Sequence, residues 1–155
     1  MKFKVAMDCY IKKDNEVLLI HRKPDLEKFP DFYMGPGGAV EEDETVIRAC
    51  EREVEEETGL DIENVKLRIV GTHAHPYRDE VWVVFIFIAD YKSGTERASH
   101  EGDLEWVKIS EVPKLKKIFP DLKYYWPYVF KSENQVRYGY MLYPKSGVIS
   151  KHEIT

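Results

Sequence analysis

Residues 38–60 read GAVEEDETVIRACEREVEEETGL, and this stretch decides the reading of the chain. Val46, Ile47, Cys50 and Val54 recur at helical spacing, and Gly59 stands where a C-terminal cap belongs. The pattern predicts a helix over Glu44–Thr58. At about 100° per residue, Glu57 lies about 40° to one side of Glu53 and Glu56 about 60° to the other. Three carboxylates therefore share an arc of roughly 100°, and Ile47, Cys50 and Val54 fill the adjacent arc. The acids stand beside the buried face, not opposite it. They also occupy the last turns, where the helix dipole disfavours negative charge, and like charges four apart repel. Folding alone gives no reason for this arrangement. A bound divalent cation does, because clustered hard oxygen ligands suit Mg²⁺ or Mn²⁺.

The charge distribution points the same way. Glu41–Glu57 holds nine acids and two bases, a balance of −7, whereas the whole chain of 155 residues is −5. The remainder is +2, so one short segment carries all the excess negative charge. A protein that binds nucleic-acid polymers should instead carry a basic stripe. Just upstream lies Gly35-Pro36-Gly37-Gly38. Such a loop brings bare backbone near the acids, where a carbonyl can join a metal shell or an amide can meet a phosphate.

Working outward, the length fits one domain over 1–155, and a hydrophobic content of 43% is that of a globular protein. The longest apolar run, Val81–Ala89, is too short for the roughly 18 residues of a membrane helix and suits a buried strand. Met1-Lys2-Phe3-Lys4 lacks the apolar stretch of a signal peptide, and Cys9 and Cys50 are too few for a disulfide framework. These features predict a cytoplasmic protein without a membrane partner. Phe3, Val5, Met7, Cys9 and Ile11 alternate as one face of a strand. Glu16–Arg22 reads as a second strand and Lys23–Gly38 as a loop. Val65–Pro76 and Val81–Tyr91 read as strands around Tyr77–Glu80. Leu104–Ile109 is a short strand, Pro113–Lys117 a helical turn and Asp121–Lys131 an aromatic-rich helix. Gln135–Tyr143 and Gly147–Ile154 form a closing hairpin around Pro144–Gly147.

Taken together, Gly38, Glu44, Arg52-Glu53-Val54, Glu56-Glu57 and Gly59-Leu60 match the signature box of the Nudix hydrolase family, which the chain therefore resembles. Seven fixed identities at roughly 7% background frequency coincide by chance about once in 10⁸ starting positions, which sets coincidence aside. The resemblance implies an α+β Nudix fold, a mixed β-sheet sandwiched between α-helices. It implies hydrolysis of a diphosphate linked to another moiety, with Mg²⁺ or Mn²⁺ as cofactor. It further implies that Glu53, Glu56 and Glu57 ligate metal with the Gly37 carbonyl, and that Gly38, Glu44, Arg52 and Gly59 are structural, Glu44 and Arg52 forming a salt bridge. Glu56 is the first candidate for the general base. Glu101, at a loop position where related enzymes hold a metal-binding Glu, is the second.

Phe119-Pro120-Asp121 and the following Tyr124-Tyr125-Trp126-Pro127 are similar to the base-pocket region of MutT-like enzymes of the oxidised-purine nucleoside triphosphatase type. That resemblance implies a nucleoside triphosphate substrate, an oxidised purine such as 8-oxo-dGTP among them, cut to monophosphate and pyrophosphate. Arg22, Met34, Phe119, Asp121 and Trp126 become candidate substrate contacts. Three positions depart from the pattern: Phe119 replaces a Trp, Leu122 an Asp and Met34 an Asn, so base discrimination is expected to differ. His73 and His75, two apart on a strand, could line the same cleft. The rival readings are an ADP-ribose or other nucleoside diphosphate hydrolase, a capped-RNA hydrolase and a non-catalytic nucleotide-binding module. The intact Glu53, Glu56 and Glu57 favour catalysis. Monomer and homodimer stay equally open.

Overall fold

A computed structural model describes all residues, Met1–Thr155. Its strands are β1 (Lys2–Lys13), β2 (Glu16–Arg22), β3 (Tyr33–Met34), β4 (Gly37–Ala39), β5 (Asp61–His75), β6 (Glu80–Ser93), β7 (Gly102–Lys108), β8 (Arg137–Leu142) and β9 (Lys151–Ile154). Helix α1 (Val46–Thr58) lies between β4 and β5, and α2 (Leu122–Val129) between β7 and β8. The strands run β3-β2-β1-β6-β5-β8-β9, with β4 also on β1 and β7 also on β2. Pairing is mixed. β1 is parallel to β6 from Lys2↔Glu80 to Lys12↔Asp90, and β5 is parallel to β8, whereas β5–β6, β2–β7 and β8–β9 are antiparallel. No helix is long and apolar enough to cross a membrane.

The period-two alternation of β1 organises the core. Met7, Cys9 and Ile11 pack against Ala49, Cys50 and Val54 of α1. Tyr10 points to the opposite face, into a second cluster with Leu122, Tyr125, Trp126 and Val129 of α2. The sheet thus carries a helix on each face, as the resemblance implies. Ala6 and Asp8 share the Tyr10 face, the face on which a cleft opens.

Several sequence expectations need adjustment. α1 begins at Val46, not Glu44, because Thr45 is extended (φ −76°, ψ 160°) and its hydroxyl accepts from the Arg48 amide at 3.2 Å. The C-cap stands where it was placed: Gly59 takes a left-handed φ of 75°, and its amide donates to the Glu55 carbonyl. Ile47 is exposed, and Ala49 and Thr58 complete the buried side in its place. Phe3 and Val5 are also exposed. The loop from Lys23 contains β3 and the start of β4, short strands that periodicity could not signal. The turn placed at Pro113–Lys117 is a 3₁₀ segment over Ile109–Lys114.

One structural residue escaped the sequence reading. Arg68 on β5 is buried, and its guanidinium donates to the carbonyls of Tyr128, Val129, Lys131 and Glu133 at 2.7–3.3 Å. Those carbonyls mark the end of α2 and the turn after it, where the helix leaves acceptors unsatisfied. Arg68→Met keeps the aliphatic stem but orphans them. It is expected to lower stability by about 2–4 kcal/mol, read as a reduced urea midpoint at unchanged m-value.

Candidate functional site

The last turns of α1 and the segment leading into β7 enclose a polar cleft lined by Glu53, Glu56, Glu57, Arg97, His100 and Glu101. Arg52 sets its geometry. The guanidinium Nε and Nη2 donate to both Glu44 oxygens at 3.0 and 2.7 Å, and Nη2 also reaches the Ala39 carbonyl at 3.2 Å. Its Nη1 donates to Glu53 at 3.0 Å and Glu56 at 3.2 Å. The ion pair holds the Glu44 carboxyl down at about 2, and the carboxylates around Arg52 hold its proton more firmly than usual. The bond between Glu44 and Arg52 fastens the segment before α1 to the helix itself.

The glycines make room for the acids. A Cβ on Gly38 would collide with the Glu53 carboxyl, and one on Gly37 with the Asp8 carboxyl and the Met7 carbonyl. The Gly37 amide donates to Glu57 Oε2 at 3.2 Å, which sets this glycine against the acidic cluster. Burial pushes the Glu57 carboxyl up to about 8 against that hydrogen bond, with further repulsion from Glu101, Glu53 and Glu56. Burial also raises Glu53. No three donor side chains converge on one point at bonding distance. Four hard carboxylates around one cleft, one of them driven toward neutrality chiefly by burial, nevertheless form the donor chemistry that suits a divalent cation.

A second cleft of 380 Å³ opens on the Tyr10 face of the sheet. Phe29 and Phe119, with ring centroids 4.5 Å apart, form one part of its lining. His75, stacked on Tyr143 at 4.7 Å and 12°, forms another. His73 also lines it, and its Nε2 shares a 2.8 Å hydrogen bond with the Tyr125 hydroxyl. Burial pushes the His73 imidazole down to about 4, and His75 is lowered too, chiefly by burial and then by Arg78 and His73. The Nδ1 of His75 is buried without a hydrogen-bond partner. Asp121 is pushed up to about 6 by burial, partly offset by its own amide and that of Leu122.

Asp8 lines the aromatic cleft one glycine away from the Glu57 carboxylate of the acidic one. Its carboxyl lies against Gly37, and burial raises it well above the usual carboxylate range, helped by Asp121 and Glu57. The sequence reading passed over Asp8. The available signal was an acid in mid-strand, where Asp is disfavoured, on the face opposite the apolar stripe.

Among the sequence candidates, Met34, Phe119 and Asp121 line the aromatic cleft, and Glu53, Glu56, Glu57 and Glu101 line the acidic one. Two fall elsewhere. Trp126 is buried in the core, edge-on to Tyr10 with its Nε1 donating to the Ile109 carbonyl, and is corrected from pocket contact to core residue. Arg22 lines neither cleft, because its guanidinium is occupied by protein acceptors.

Comparison with known proteins adds the lineage. The family model described as NUDIX domain matches residues 2–128. An ADP-ribose pyrophosphatase of Methanocaldococcus jannaschii is 40% identical over 114 residues, covering 72% of this chain and 65% of that protein. A human 8-oxo-dGDP phosphatase is 33% identical over 110 residues, covering 71% of this chain but 32% of that protein. The match thus spans about two thirds of the first relative and one third of the second. A MutT protein of Bacillus halodurans superposes with a TM-score of 0.85 at 24% identity over 97% of both chains, a likeness of fold.

The buried His73 makes stability depend on pH in a definite direction. Its folded value of about 4 lies below the roughly 6.5 of an unfolded imidazole. The unfolded chain therefore takes up the proton first, and stability is lost as pH falls from about 6.5 toward 4. His73→Gln, which can still reach Tyr125, is expected to lose less of its urea midpoint between pH 7 and pH 5 than the parent protein.

Proposed function

The chain belongs to the Nudix family, and on that premise we propose that it is a cation-dependent pyrophosphohydrolase whose substrate is a nucleoside triphosphate, released as monophosphate and pyrophosphate. The observation that carries this reading is the link between two unlike clefts: Asp8 lines the aromatic one, its carboxyl lies against Gly37, and the Gly37 amide donates to Glu57 of the acidic one. One is aromatic and of a size for a nucleobase. The other is a ring of carboxylates that can approach a polyphosphate only through cations. A substrate with a planar ring at one end and an anhydride at the other fits that pair.

In this reading Glu53, Glu56 and Glu57, with Glu101 opposite, hold Mg²⁺ or Mn²⁺. The cation supplies charge neutralisation at the phosphoryl oxygens and lowers the cost of ionising the attacking water. The protein's own groups do the rest. Glu56 is the most solvent-accessible of the three box acids, and Arg52 orients it from 3.2 Å, so it is the carboxylate assigned to take the water's proton. The Gly37 amide fixes Glu57, and the Glu44–Arg52 pair keeps the glycine segment in register with the helix. Phe29, Phe119, His75 and Tyr143 enclose the base, and Asp121 supplies one hydrogen-bonding carboxyl. The second reading, ADP-ribose as substrate, is favoured by the 40% identity to the Methanocaldococcus jannaschii enzyme.

Product analysis separates the two. Purified protein with Mg²⁺ is offered dGTP, 8-oxo-dGTP, other nucleoside triphosphates and ADP-ribose, and the products are resolved by chromatography. Pyrophosphate and monophosphate from a triphosphate support the first reading, and 8-oxo-dGTP turned over well above dGTP would identify the oxidised purine. Preferential cleavage of ADP-ribose selects the second. Glu56→Gln is expected to lower turnover by more than about a hundredfold with circular dichroism unchanged, and near-parental turnover would overturn the assignment of the acidic cleft. Phe119→Ala is expected to raise KM more than it lowers kcat. Loss of folding with no separate change in KM would make Phe119 a core residue.

A further inference from the structure

Arg22 ends β2 and is paired with Gly102 of β7. A Cβ on Gly102 would strike the His21 carbonyl, so the two strands come this close only through glycine. The Lys23 amide donates to the Glu101 carbonyl at 2.9 Å, which brings the acid beside the arginine. There Arg22 Nη1 donates to Glu101 Oε2 at 3.1 Å and approaches Met34 Sδ at 3.7 Å. Its Nε donates to the Phe29 carbonyl at 3.1 Å, and Nη2 to that of Lys28 at 2.8 Å. Four of the five guanidinium donors are thus committed within the protein, and the side chain is 13% exposed. Glu101 and Phe29 belong to different clefts, the acidic and the aromatic, and this one side chain grips the chain at both.

We infer that Arg22 is a positioning residue that joins the two clefts, holding Glu101 over the cation site while it fixes the Lys28–Phe29 wall of the base pocket. The inference rests on the functional reading above and deepens it. Glu101 is half exposed and belongs to a segment outside any helix or strand, so without a fixed partner its carboxylate would spread over many rotamers. A charge-assisted pair to a guanidinium that is itself clamped by two carbonyls removes that freedom. The same clamp keeps Phe29 against Phe119. Substrate seated on the aromatic wall and cation held by Glu101 therefore draw on one shared side chain.

The test uses Mn²⁺ binding followed by electron paramagnetic resonance, backbone hydrogen exchange and steady-state kinetics on a nucleoside triphosphate. Arg22→Gln is expected to weaken Mn²⁺ binding by about tenfold, as loss of an outer partner of a metal ligand does. It should also speed exchange in both 24–32 and 96–101. Arg22→Lys keeps a charge for Glu101 but cannot span two carbonyls. It should recover most of the Mn²⁺ affinity while 24–32 stays fast, raising KM more than it lowers kcat. Glu101→Gln completes a double-mutant cycle, in which the effects on Mn²⁺ affinity should be strongly non-additive. Parental Mn²⁺ affinity in Arg22→Gln, or additive effects in the cycle, would overturn the inference. So would a rise in KM alone with exchange unchanged, the mark of an ordinary substrate contact. If Arg22→Gln fails to fold, the decision passes to Arg22→Lys and Glu101→Gln, where unchanged exchange in 24–32 in the lysine variant overturns the clamp. Parental protein that binds no Mn²⁺ would sink the functional reading itself. Parental binding and turnover with an additive cycle would sink only the role of Arg22.

Discussion

The Arg52 guanidinium makes five hydrogen bonds, two to Glu44 and one each to the Ala39 carbonyl, Glu53 and Glu56. The acidic cleft depends on this constraint. A helix that ends in a cluster of carboxylates opposes its own dipole and its own charges. One cation on the helix, clamped from the preceding segment by a carboxylate held at about 2, offsets part of that repulsion. It also fixes the helix to β4, so that Gly38 meets Glu53 and Gly37 meets Glu57 with no side chain between them. Acids and backbone amide thus reach one place from two successive elements, β4 and α1.

The sheet supplies the second half of the site. Because β1 alternates, the strand that buries Met7, Cys9 and Ile11 under α1 must turn Asp8 and Tyr10 the other way. α2 and the segment before it then cover part of that face and leave a gap where Phe119, Asp121, His73 and His75 meet. Buried groups in that gap are pushed toward their neutral forms, His73 to about 4 and Asp121 to about 6. A largely aromatic cleft with buried groups pushed toward neutrality thus accompanies one lined by carboxylates. Nothing in the helix alone could provide it.

Legibility in the sequence varied with the range of the interaction. β2 was read to the residue, and the Gly59 cap was placed correctly, because periodicity and a left-handed φ are local matters. The start of α1 was missed by two residues, since Glu44 looks helical by composition but is held outside the helix by Arg52 and the Glu41 amide. Ile47 looked buried on a helical wheel, yet it lies exposed, and Ala49 and Thr58 fill the buried side. Trp126 became a candidate contact through the resemblance to a base-pocket region, and the packing of α2 on the sheet buries it in the core instead. Arg68 left no signal, since its partners are four carbonyls some sixty residues away.

The sequence by itself determined the chemistry: which acids cluster, the glycines beside them, the ion pair that ties loop to helix, and through these the family. Residues within a few turns of one another encode such features, and helix geometry converts their spacing into direction. Only the tertiary structure decided which residues serve the second cleft. It set Asp8 of β1 in the aromatic cleft against Gly37, withdrew Trp126 into the core, and turned Arg22 from a candidate substrate contact into a side chain bonded to the Phe29 carbonyl and Glu101. Strand pairing across eighty residues sets those contacts, and pairing register is a property of the assembled sheet, not of any segment within it.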